Sequence, residues 1–196
     1  MNPTSASPLR LLGLAAMIGA PALLIETARN GFAKVANEST DPTGALLYGL
    51  FALGWFCAML GLHQLRAAGA GRLGRTLTLL PLLTIPLALG QTLMDLLKVP
   101  TAHPLYLVTD LAWPLSMVLT FTVSVAVLLA GRLPGWRRLT PLLCGISLPL
   151  MLVLMALGIE LPGWTFGAHT ALGWFALGLA LFTLEPRPTL PRPTLA

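Results

Sequence analysis

Apolar residues run along this chain in six long blocks separated by short polar connections. The blocks cover about residues 9–27, 45–65, 76–97, 107–130, 140–159 and 164–184, and a helix crossing a bilayer needs about 20 apolar residues. The pattern predicts an all-α protein, a polytopic membrane protein built as a six-transmembrane-helix bundle. The first block resembles a secretory leader because Arg10 precedes its apolar core, but Pro21 interrupts that core and no A-x-A site follows, so a retained helix is expected.

The connections carry the orientation. With the N-terminus inside, Arg10, Arg66, Arg72, Arg75, Arg132, Arg137, Arg138, Arg187 and Arg192 face the cytoplasm and only Arg29, Lys34 and Lys98 lie outside, nine against three. Loops retained on the cytoplasmic side accumulate Arg and Lys, so the expectation is N-in and C-in, in the cytoplasmic (inner) membrane of a bacterium. Glu26, Glu38, Asp41, Asp95, Asp110 and Glu160 fall on the outer side and only Glu185 inside. Trp136 and Trp164 stand at block ends, as interfacial anchors do.

Composition agrees: 56% of residues are hydrophobic and 10% charged, where a soluble domain has roughly 25% charged. Residues 1–185 read as one transmembrane domain. Residues 186–196 read as a cytoplasmic tail in which PRPTL occurs twice, favouring an extended, solvated strand. The longest connection, GFAKVANESTDPTG, is turn-forming and could cap the outer surface. The net charge of +5 does not indicate nucleic acid, because the arginines sit in short loops where lipid headgroups meet them. Cys57 and Cys144 lie in different blocks with no CxxC pair, so a redox relay or cysteine zinc cluster is not expected.

Candidate chemistry gathers toward the outer end. From the ~1.5 Å helical rise, Glu26 lies ~25 Å up its helix, Asp95 ~28 Å and Asp110 ~30 Å, with Gln91 one turn deeper than Asp95 and His169 about five residues below the outer end. Gln91, Asp95 and Lys98 share a helix face at i, i+4 and i+7, so Asp95 can pair with Lys98. Asp110 or Thr109 can cap a helix that Pro114 opens in its first turn. Ligand, proton or cation candidates are therefore Glu26, Gln91, Asp95, Asp110 and His169. A metal would take His169, Asp95 and Asp110, with His103 as a further imidazole at similar depth, although no HxxxH or HExxH pair supports it. No catalytic residue and no cofactor is assigned. Ser116, Thr120 and Ser124 on one helix, and Gly54 and Gly61 on another, read as packing positions.

The string GAHTALGWFALG resembles the histidine helix of rhomboid intramembrane proteases, but CGISL lacks the glycine that closes the rhomboid serine turn. Ser147 and His169 also fall at different depths, so that activity is not carried over. Three scattered histidines are too few for a two-haem cytochrome. The leading expectation is a noncatalytic membrane protein, either an accessory or assembly subunit or a small-ligand-binding protein with its polar layer near the outer face. The alternatives are a small transporter using the outer carboxylates and a metal-dependent enzyme acting on lipid headgroups or periplasmic substrates. The expected partners are the lipid bilayer and either companion membrane subunits or a second copy of the chain.

Overall fold

The computed structural model describes residues 7–32 and 41–184. The PRPTL tail and most of the long first connection, with Lys34, Glu38 and Glu185, lie outside the described residues. The protein is all-helical, with no strand among the described residues. Five helices are long and apolar enough to cross a membrane, or six if one bent pair counts as a single span.

The first span divides into α1 (Pro8–Gly19) and α2 (Ala22–Arg29) at Pro21, which has no N–H to continue the ladder. Helix α3 (Pro42–Gln64) starts where Asp41 accepts the Gly44 amide at 2.6 Å with proline in the first turn. Helix α4 (Arg72–Leu96) continues through Pro81 and Pro86. Helix α5 (Pro104–Ala130) begins well before its expected cap: His103 Nδ1 accepts the Leu105 amide at 3.2 Å, so Asp110 lies in the second turn and Pro114 is interior. Helix α5 ends at Gly131, whose φ of 60° turns the chain out of the helix.

The fifth apolar block departs most from expectation. It forms α6 (Thr140–Gly145) and α7 (Ser147–Ala156), bent by 49°. Pro149 leaves the Gly145 carbonyl without its helical donor, and the Ser147 hydroxyl turns back to the Cys144 carbonyl at 3.2 Å. Gly145 is also the point where α6 lies closest to α5, since a Cβ there would stand 2.8 Å from Phe121 Cα. Helix α8 (Thr165–Phe182) completes the described chain.

The helices close into a ring in the order α1, α3, α4, α5, α6, α8, with α8 returning to α1. The closing seam is tight: a Cβ on Gly178 would meet the Gly13 carbonyl oxygen at 2.7 Å, the backbone approach that small residues permit between membrane helices. Polar side chains on α5 tie it to its neighbours as the sequence suggests. The Ser116 and Thr84 hydroxyls hydrogen-bond at 2.7 Å, Ser116 also lies 2.7 Å from the Ala112 carbonyl, and Ser124 donates to the Pro141 carbonyl at 2.6 Å. Trp55, Met59, Leu62, Ile85, Leu177 and Leu181 are fully buried inside the ring, while apolar residues such as Leu73, Leu129 and Leu172 face outward. Helix α7 leaves the ring: from Leu150 to Glu160 every residue except Leu154 is exposed.

Candidate functional site

The described acids lie at one end of the ring together with Arg29 and Lys98, and the remaining described arginines lie at the other. Glu26, Asp41, Asp95, Asp110 and Glu160 mark one end, and Arg10, Arg66, Arg72, Arg75, Arg132, Arg137 and Arg138 the other. The acidic end contains two polar seams. Across α2 and α3, Arg29 bridges Glu26 Oε2 at 2.7 Å and Asp41 Oδ2 at 2.9 Å, and Asn30 donates to Glu26 Oε1 at 2.9 Å. Glu26 is only 8% exposed, so its carboxylate depends on these two donors. Asp41 lies at the surface, and its carboxyl is held below the usual range first by Arg29 and then by the Gly44 amide.

The second seam joins α4 to α5. Gln91 Nε2 donates to Asp110 Oδ1 at 3.2 Å, and the Tyr106 hydroxyl donates to Asp95 Oδ1 at 3.0 Å. Asp95 therefore takes a phenol from the next helix instead of the expected Lys98, which lies past the helix end with a φ of 52°. Arg29 forms ion pairs with Glu26 and Asp41. Tyr48 on α3 stands between the seams, within electrostatic reach of both Glu26 and Asp95.

His169 belongs to neither seam. Its helix packs on α1, α2, α3 and α6, across the ring from α4. The proposed His169, Asp95 and Asp110 metal set is not assembled: among the described residues no three His, Cys, Asp or Glu side chains group as metal ligands. The reason is ring order, because helices at similar depth need not be neighbours. His103 is exposed in its capping role, and His63, at the basic end, contacts Thr78 at 2.8 Å.

A second feature lies inside the ring, toward the acidic end. Phe51 and Trp55 on α3, Trp113, Met117 and Thr120 on α5, Cys144 and Ser147 at the α6–α7 break, and Phe166, Thr170 and Trp174 on α8 line a partly open cavity of about 10 Å³, about the space of one water. The ring centroids of Trp55 lie 5.6 Å from those of both Trp113 and Trp174, the first pair edge to face. Phe51 stands 5.9 Å from Trp55, Trp113 and Trp174. One hydrogen bond crosses the cavity wall, from Trp55 Nε1 to Thr120 Oγ1 at 3.0 Å. Tyr48 meets Trp113 edge to face at 5.9 Å, connecting this aromatic box to the acidic seams.

Aromatic walls offer a flat, polarisable surface and few charges, suited to an apolar or ring-bearing guest. The box has no nucleophile poised beside a base: Ser147 donates to a backbone carbonyl, and His169 Nδ1 has no hydrogen-bond partner. The sequence reading missed the box, although its signal is present. Phe51 and Trp55, Trp113 and Met117, and Phe166, Thr170 and Trp174 each repeat at four-residue spacing on one helix face.

No protein family, no curated protein and no solved structure matches the chain. The fold and the two sites therefore define the class on their own: a helical protein with five or six membrane-length apolar helices, an acidic polar end and an internal aromatic box.

Proposed function

We propose that this chain is a noncatalytic integral membrane protein that binds a small, largely apolar molecule in the aromatic box, entering sideways from the bilayer. The observation that carries this reading is the combination of five aromatic side chains around one cavity with α7 splayed from the ring beside it. The cavity holds only about one water in this structure, so entry requires α7 to move, and α7 has few contacts to break. In this reading α6 and α7 together form a broken fifth span of six. The basic end faces the cytoplasm, both termini are cytoplasmic, and the acidic seams lie near the outer face of the inner membrane.

Native mass spectrometry of the protein released from its own membrane tests the binding reading. A bound small molecule at one copy per chain, lost when Thr170→Trp fills the box, is the expected result. Chains that carry nothing, and whose tryptophan indole resonances ignore added apolar probes, would refute it. Orientation is tested by single cysteines at Arg132 and Lys98 in intact cells: a membrane-impermeant maleimide should label the second and spare the first.

The seam of Asp95, Tyr106, Gln91 and Asp110 favours a second reading, a small transporter with its proton or cation site there. Pro114 supports it by leaving the Asp110 backbone carbonyl without a helical donor beside the carboxylates. Solute or proton flux in liposomes that is unchanged by adding the protein would remove this alternative.

A further inference from the structure

Two buried side-chain atoms among the described residues lack a hydrogen-bond partner, and both are on α8: Thr165 Oγ1 and His169 Nδ1. They are four residues apart, so they share one edge of the helix with their Cβ atoms about 6 Å apart. That edge borders the α6–α7 break. Gly173, one turn beyond His169, would put a Cβ 3.3 Å from the Leu143 carbonyl oxygen. The residues that follow each orphan, Phe166 and Thr170, line the aromatic box. The two unpartnered groups thus lie on the helix edge next to the one that lines the box, with both atoms buried.

A histidine serving only to join membrane helices hydrogen-bonds across the interface. His169 Nδ1 does not. Helix α7 offers nothing in return, because it reads SLPLMLVLMA and its one hydroxyl, Ser147, is committed to Cys144. The charged residues of neighbouring α2 are also engaged, Glu26 with Arg29 and Asn30, and Arg29 with Asp41. That edge of α8 therefore carries one unpaired hydroxyl and one unpaired imidazole nitrogen, without a free ionic partner from α2.

We propose that Thr165 and His169 bind the uncharged polar head of the guest, a hydroxyl or carbonyl oxygen, while its apolar body occupies the aromatic box. The ligand class is a membrane-soluble amphiphile with a single neutral oxygen head, of the alkylphenol or long-chain-alcohol kind. This inference rests on the binding reading above and adds the head-group selectivity.

The test uses the full chain in nanodiscs with two probes of equal body, 4-nonylphenol and nonylbenzene. Binding is read from the indole N–H resonances of Trp55 and Trp174 and from the His169 Nδ1 nitrogen shift. Both probes should move the indoles, and the phenol should do so at about tenfold lower concentration, the worth of one or two net hydrogen bonds. The phenol alone should move His169 Nδ1. Thr165→Val with His169→Phe should bring the two probes within about twofold while leaving the nonylbenzene curve in place. Thr165→Val alone, nearly isosteric, should remove part of the preference and serves if the double variant does not fold.

Equal affinity for the two probes in the unaltered protein, or a tenfold preference that survives the substitutions, would overturn the head-group site and leave the cavity reading standing. Indoles that respond to neither probe would overturn both.

Discussion

Thr120→Val is the most informative single change in the box, because valine keeps the shape of threonine and deletes the acceptor for Trp55. Trp55 is 2% exposed and its indole N–H has Thr120 Oγ1 at 3.0 Å as its partner. A stranded buried donor costs roughly 1–3 kcal/mol in a water-soluble core. Interhelical hydrogen bonds in bilayers average about 0.6 kcal/mol, because a chain unfolded within the membrane also finds partners. Between these two bounds about 1 kcal/mol is expected, roughly a fivefold shift in the unfolding equilibrium.

Reversible unfolding by sodium dodecyl sulfate in mixed micelles measures the shift, and a double-mutant cycle isolates its cause. Trp55→Phe removes the N–H while keeping an aromatic ring, so Thr120→Val should cost little in that background. The bond is refuted as the cause if Thr120→Val costs the same beside phenylalanine, or nothing beside tryptophan.

Three other outcomes follow from the described geometry. Gly178→Ala places a Cβ 2.7 Å from the Gly13 carbonyl oxygen and 2.9 Å from the Met17 amide nitrogen, backbone atoms that cannot rotate away. It should destabilise the bundle by about 1–3 kcal/mol in the same titration, whereas Gly71→Ala, with no atom within 4 Å, should not. Asp41 has a folded pKa below its unfolded value, so its contribution is complete above about pH 4 and fades as pH falls through the lower folded value. Faster hydrogen exchange at the Gly44 amide under acid, with little change between neutral and mildly acidic pH, would report this loss. Pro149→Ala returns a donor to the Gly145 carbonyl, and slower exchange near residue 149 together with weaker uptake of nonylbenzene would mark a straightened span.

Much of the architecture is visible in the sequence, because membrane helices are written as long apolar blocks whose ends prolines and capping residues mark. Asp41 with Pro42, and His103 with Pro104, are such marks, although Asp110 before Pro114 imitates one and displaces the expected start of α5. Depth was equally legible: Glu26, Gln91, Asp95 and Asp110 do reach one end of the bundle. Neighbourhood was not, since it depends on helix rotation and ring order. Asp95 therefore meets Tyr106 instead of Lys98, and His169 is separated from the carboxylates. The break at Gly145 needed three coincident residues, Gly145, Ser147 and Pro149, while Pro81 and Pro86 leave α4 unbroken. The aromatic box was obscured because each of its helices carries only one to three of the lining residues.

The seam of Gly13 against Gly178 also sets an order of assembly. Helix α1 is the first described element to leave the ribosome and α8 the last, yet the ring closes only when they meet. Until then Trp55 on α3 and Trp113 on α5 lack the wall that Phe166, Thr170 and Trp174 of α8 supply. The cavity is therefore complete only once α8 is in place: a chain stalled before α8 has the α3 and α5 walls of the box without the third. Any guest that stabilises the closed ring would act on the final step of biogenesis.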